Sequence, residues 1–355
     1  MKFKKVTVCL DMLGCPNRCK HCWIGSSPNG SLTAEDLRYV AEQLRPYAGK
    51  LEVYDWYREP DYGDNYREMW ELCEELSDEH MPHFELVSIW RLARDEIYAK
   101  WLAKLGLKYA QLTLFGDESM TDYFVGRCGA YKEIMKSIDV LFENGICPRI
   151  QMFLNERNMS QLDYMERLID GLELEKRCRD IGGKFSFFIH AGSCDGENEQ
   201  FYDRRVTSQM IERIPKRLSE LTVKHFGKSN IYEVFGEPEH MLYRQMIDDN
   251  SVSDIVSDCP VFYVDKDFNV YPNITAPSKL WCLGNLKKID AETVIENYRG
   301  NLCYAAGVFR DVPLSRLVKT CGVKDGMGMF SRYDYIIYLL NKYCRKIGKC
   351  NERGE

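Results

Sequence analysis

Short apolar runs alternate with amphipathic stretches through the first two thirds of the chain. Val6-Thr7-Val8-Cys9-Leu10 predicts a first strand, and Leu51 to Tyr57, Phe84 to Trp90, Tyr109 to Phe115, Ile150 to Leu154 and Phe185 to His190 predict five more. Between them lie helical patterns. Thr33 with Asp36 three residues on predicts a helix start, and Leu37, Val40, Ala41 and Leu44 follow at helical spacing. Met69, Leu72, Cys73 and Leu76 make the second apolar stripe, and Ile97, Trp101 and Leu105 the third. Ile134, Ile138 and Leu141 form the fourth, with Gly145 as its stop. Leu162, Met165 and Leu168 form the fifth, and an amphipathic stretch from Thr207 to Leu221 the sixth. Apolar strands alternating with amphipathic helices predict a parallel sheet covered by helices. Periodicity alone does not separate an open doubly wound sheet from a barrel.

From about residue 230 this alternation stops. Residues 259 to 272 predict a β-hairpin around Asp265-Lys266-Asp267, and Tyr333 to Tyr343 a terminal helix. Two domains are expected, 1–235 and a smaller α+β domain, 236–355.

The 355 residues are 45% hydrophobic and 29% charged, enough apolar material for a sizeable core. The net charge of −6 carries no basic block, which argues against nucleic-acid or membrane-surface binding. The apolar run after Lys2, Lys4 and Lys5 is too short for a signal peptide or a membrane span. Fifteen cysteines without a secretory signal predict reduced thiols and a cytoplasmic location rather than a disulfide framework.

Three of those cysteines stand out. Cys15, Cys19 and Cys22, spaced C-x3-C-x2-C, directly follow the first strand. A compact thiolate triad on a loop suits a soft metal or an iron–sulfur cluster. Zinc sites usually come as two short-spaced Cys/His couples, and no second C-x2-C occurs here. A 4Fe–4S cluster on three thiolates leaves one iron open. In parallel α/β architectures chemistry gathers at the carboxyl ends of strands. The thiol loop, Arg58-Glu59-Pro60, Ser88 and Thr113 to Asp117 all fall on that rim.

The triad, with His21 at a position that is usually aromatic, resembles the signature of the radical S-adenosylmethionine (radical SAM) superfamily. The resemblance implies a partial (β/α)6 barrel of the TIM type. It also implies a 4Fe–4S cluster on Cys15, Cys19 and Cys22 whose open iron takes the amino and carboxylate groups of S-adenosyl-L-methionine. Arg58-Glu59-Pro60 resembles the family's G-G-E-P motif, with Tyr57 and Arg58 replacing the glycines, which makes Glu59 the candidate partner of the cofactor's ammonium; the alternative is an ion pair with Arg58. Thr113-Leu114-Phe115-Gly116-Asp117 resembles the strand-four region near the cofactor's ribose and carboxylate. Thr113, Asp117, Ser88 and Gln111 are cofactor-binding candidates on that ground. Arg127 resembles the arginine of an R-x-G that opens the next helix; it pairs with a carboxylate or sits in solvent.

Tyr263 to Pro272 with Leu283-Gly284-Asn285-Leu286 resembles the SPASM/twitch appendage, although Asn273 stands where a cysteine is expected. Cys259, Cys282, Cys303 and Cys321 suffice for an auxiliary iron–sulfur cluster; the other reading is a degenerate appendage without metal.

The function so implied is reductive cleavage of S-adenosylmethionine and hydrogen abstraction from a peptide or small natural-product substrate, with a flavodoxin or ferredoxin as electron donor. The outcome could be epimerisation, crosslinking, dehydrogenation or rearrangement. A chain starting directly at its first strand is expected either to leave peptide-leader binding to another protein or to act on a small-molecule substrate. The alternative function is a non-catalytic iron–sulfur or zinc-binding sensor or scaffold.

Overall fold

The computed structural model describes residues 2–25, 29–55, 58–272 and 277–351, with side chains as far as 347. Trp56, Tyr57 and Asn273, named above, lie outside the described residues.

Two parallel arrays dominate. β1 (Val6–Leu10) pairs in parallel with β2 (Leu51–Tyr54), and β3 (Tyr109–Leu114), β4 (Cys147–Phe153) and β5 (Ser186–His190) form a second parallel sheet. After the short β6 (Glu237–Pro238), β7 (Val261–Val264) and β8 (Asn269–Pro272) form the expected hairpin, extended by β9 (Gly284–Asn285). β10 (Met329–Phe330) pairs with β6. The hairpin is not set apart from the first sheet: β7 runs parallel to β1, with Val8 opposite Phe262 and Leu10 opposite Val264, giving the order β2-β1-β7-β8-β9. One apolar core accordingly joins Val6, Val8, Leu37 and Val53 to Phe262, Trp281, Val294 and Leu340.

The expected third strand is not a ladder strand. Leu86 makes a single parallel bridge to Gln111, and Gln111 N–H donates to Glu85 C=O at 2.7 Å. Ser88 ends the extended run because its hydroxyl accepts the Arg91 N–H at 3.1 Å, capping the helix Ile89–Leu92. The described strands thus form three sheets, of five, three and two strands, and the bridge ties only the run at Leu86 to β3, so they do not close into a barrel.

The stripe expected to turn Ile97 inward is shifted by one residue. Ile97 is 56% exposed, and Tyr98, Ala99 and Leu102 are buried. Tyr98 fixes this register: its hydroxyl donates to Asp61 and accepts from Ser88 N–H. In the sixth helical stretch Pro215 splits the pattern into Ser208–Ile211 and Lys216–Phe226. Met69, Leu72, Cys73, Ile134, Ile138 and Leu141 are buried as their spacing predicts.

β3 shows what the sheet does for function. Ala110, Leu112 and Leu114 are fully buried, while Tyr109, Gln111 and Thr113 alternate with them on a more accessible face. A parallel strand covered on both sides reads apolar throughout. This one keeps a polar face, and that face lines a cavity.

Candidate active site

The thiol loop is clamped from both sides. Arg18 and Lys20 N–H donate to Val125 and Phe124 C=O (3.0 and 2.8 Å), so the loop runs along the end of the helix Glu118–Val125. On the other side Glu197 N–H donates to Cys22 C=O at 2.8 Å, and Gln200 Nε2 to Lys20 C=O at 3.0 Å. Gly126 ends the helix with φ +71°, and a Cβ there would lie 2.3 Å from Arg18 O. Asn29 brackets Cys15, accepting from its N–H and donating to its C=O, both at 3.1 Å.

Cys15, Cys19 and Cys22 all line one cavity of about 620 Å³ at the carboxyl ends of the strands. That is the size of pockets that enclose whole small molecules, about 300–1,000 Å³. Burial pushes the Cys15 thiol up to about 12, with Glu59 adding to the rise. Cys19 is raised well above its usual value, first by burial and then by Cys15 and Cys22; Cys22 is raised by burial. The three sulfurs are near enough to feel one another's charge, yet among the described residues no three His, Cys, Asp or Glu side chains are gathered into a metal-holding group. The donor set fits a thiophilic centre: Cys15 and Cys22 raise Cys19, and Cys22 raises Cys15, as lone anions, and a bound cationic metal centre reverses that cost.

Glu59 lies beside them, 4.0 Å from Cys15 Sγ. Ser88 Oγ donates to Glu59 Oε1 at 2.8 Å, and Trp90 N–H approaches the same oxygen at 3.4 Å. Burial raises its carboxyl to about 7 despite those two hydrogen bonds. A carboxylate held this way, short of a cation, suits an ammonium ligand. Arg58 is not its partner. Arg58 Nε and Nη2 meet Asp11 Oδ2 at 2.7 and 2.6 Å, and Tyr263 donates to the same oxygen at 3.0 Å.

The other predicted residues divide. Gln111 and Thr113 line the cavity. Ser88 is fully buried behind Glu59 and is absent from the lining. Asp117 caps the helix Glu118–Val125 by accepting from Met120 N–H at 2.9 Å, and it too is absent from the lining. Arg127 lines the cavity, paired with Glu133 at 2.7 and 2.5 Å and donating to Asn17 Oδ1 at 2.8 Å. His21 fills its aromatic position as a ring would, with centroids 4.7 Å from Phe115 and 4.3 Å from Phe153. Burial lowers its pKa to about 3, so it is neutral, and its Nδ1 is buried without a partner in the described structure.

Gln151 and His190 belong to the cavity wall and have no motif around them. His190 accepts from Gly192 N–H at Nδ1 (3.1 Å), which leaves its proton on Nε2. The only signal for either residue was its place on the alternate face of an apolar strand.

The four C-terminal cysteines are scattered. Cys259 is exposed, Cys282 is half-buried, and Cys303 and Cys321 are buried at the ends of two helices. Cys303 feels the charge of Cys282, while Cys344 feels Cys303 and Cys321. Cys344, outside the expected four, is thus within electrostatic reach of two of them.

The radical SAM superfamily's sequence profile matches residues 10–169. No curated protein matches the chain. Among solved structures, native anSMEcpe with bound AdoMet is 12% identical, with TM-score 0.54 and coverage of 98% of this chain and 99% of that one. The same protein with AdoMet and the Kp18Cys peptide is 14% identical at the same TM-score and coverage. At such identity the likeness is one of fold. It runs over nearly the whole chain, including the part beyond residue 235. The segment that matches the radical SAM superfamily carries the three loop thiols, Glu59 and strand β3.

Proposed function

We propose that this chain is an enzyme that uses S-adenosylmethionine to abstract a hydrogen atom from a peptide or small natural-product substrate. The observation that carries this reading is the convergence of Cys15, Cys19, Cys22 and Glu59 on one cavity at the strand ends. The three cysteines would hold a 4Fe–4S cluster, and with S-adenosylmethionine bound this centre supplies the electron that generates a 5′-deoxyadenosyl radical. Glu59 receives the cofactor's ammonium, and Ser88 keeps its carboxylate turned to the cavity. Phe115, Phe153 and the neutral His21 give the wall beside the thiols an apolar lining that keeps water from a reactive species. A flavodoxin- or ferredoxin-type donor is the electron source consistent with this chemistry.

The peptide half of the reading draws on the fold likeness to anSMEcpe, which has been crystallised with a peptide. Residues 236–355 would then act as the twitch-like appendage. The test is anaerobic reconstitution followed by S-adenosylmethionine and dithionite. Release of 5′-deoxyadenosine and its loss in Cys19→Ala are expected, and no release from a protein holding about four irons would overturn the reading. About eight irons per chain would instead indicate the auxiliary cluster.

A further inference from the structure

The cavity floor between β3 and β4 carries an arrangement that hydrogen abstraction does not itself require. Thr113 lies opposite Gln151 in the parallel register, and Gln111 is on the same face of β3 two residues earlier. Gln151 Oε1 accepts from Gln111 Nε2 at 2.6 Å and from the Thr113 hydroxyl at 3.3 Å. With this placement of N and O both acceptor positions of that oxygen are filled. Its Nε2 has no partner among the described residues, nor has Gln111 Oε1, and neither is sealed away in protein. The floor therefore shows the cavity the free NH2 of one carboxamide and the free oxygen of the other. Exchanging N and O in both side chains reverses which glutamine donates but keeps that complement.

The floor also lacks charge. Of the cations on the cavity wall, Arg58 is taken by Asp11 and Arg127 by Glu133, the Arg18 guanidinium donates to the Cys15 and Asn17 C=O groups on the thiol loop, and the Lys20 ammonium lies over the Tyr123 ring. Burial disfavours the cation of His190, on the adjoining strand, with Asp334 opposing and Arg205 adding to the effect. A carboxylate or phosphate lowered onto this floor would lose its water without gaining a counter-ion. A neutral group with one C=O and one N–H loses nothing.

We propose that Gln111 and Gln151 are the pair that reads the substrate, and that they read the N–H and C=O of one residue in an extended peptide, which point to the same side. That residue's carbonyl accepts from Gln151 Nε2, and its N–H donates to Gln111 Oε1. This rests on the function proposed above. A site that hydrogen-bonds its ligand rejects an analogue lacking the group strongly, because its own polar atoms are then left unpaired. The adenine edge of S-adenosylmethionine offers similar donor–acceptor chemistry, and the experiment separates the two.

The probes are N-acetylated, C-amidated tripeptides and their analogues with one backbone ester in place of the amide. Binding to the reconstituted full chain with S-adenosylmethionine present is measured by saturation-transfer NMR. Amide probes are expected to bind, with ester analogues at least about tenfold weaker. Gln151→Glu should cost the amide probes about tenfold, and Thr113→Val, which removes only the hydroxyl that orients Gln151, about threefold. Thermal unfolding of each variant confirms that it is folded. The proposal is overturned by equal binding of amide and ester, by unchanged binding in Gln151→Glu, or by a matching loss of S-adenosylmethionine affinity in that variant, which would assign the pair to adenine. Absence of 5′-deoxyadenosine would sink the proposed function through a separate readout.

Discussion

Glu59 was legible because its neighbours Arg58 and Pro60 form a recognisable tripeptide; what orients it was not. Ser88, predicted to face the cofactor, instead caps a helix and donates to Glu59. Glu59→Gln is expected to weaken S-adenosylmethionine binding at least about tenfold, whereas Ser88→Ala should cost about 1–2 kcal/mol of stability through the cap and a smaller loss of cofactor affinity. Equilibrium binding and urea unfolding on the two variants check this; equal affinity loss in both would mean Glu59 does not meet the cofactor directly. Asp117 is ambiguous for a related reason: Asp before a helix reads equally as an active-site acid or as a cap, and here it caps. Gln151 and His190 were invisible, since their role depends on register across strands more than 35 residues apart. His225 carries a pH prediction. Burial holds its imidazole below the ordinary 6.5, with Arg149 adding to the effect and Glu85 opposing it. The unfolded chain thus binds a proton that the folded chain resists, and stability falls as pH drops below about 6.5. His225→Phe keeps the stack on Phe188, at 4.0 Å between centroids, and removes the titrating site. The fall in melting temperature between about pH 7 and pH 5.5 should be smaller in the variant.

Elements with strong periodicity came through: the first helix, with its Thr33–Asp36 capping box, and the helix bearing Ile134, Ile138 and Leu141 are as their patterns predict. The apolar run from Phe84 was ambiguous by nature. A short apolar segment reads as strand until a side chain further along takes over the backbone, and Ser88 does so. The clamp on the thiol loop was beyond sequence reach, because it joins the helix ending at Val125 and the turn at Glu197 to residues 18–22. Gly126→Ala tests it. The new Cβ would press on Arg18 O at 2.3 Å, and the positive φ adds strain. Iron retained after reconstitution should fall well below that of the parent, while the melting temperature drops by only a few degrees. Full iron retention would show that the loop needs no such brace.

Across the whole molecule, Asp11, Arg58 and Tyr263 tie the first strand, the edge of the cavity and the hairpin into one buried network. Arg58→Leu leaves the Asp11 carboxylate buried without its cation and should cost about 3–5 kcal/mol in urea unfolding. Tyr263→Phe removes one hydrogen bond and should cost about 1 kcal/mol. The sequence showed the hairpin but not its seat, because nothing local says that residues near 262 pair with residues near 8. That seat has a consequence in time. A chain being synthesised lays down β1 first, yet one edge of it stays bare until the ribosome has added some 250 further residues. In refolding followed by pulsed hydrogen exchange, the amides of Thr7 and Cys9 should gain protection only together with those of Phe262 and Tyr263.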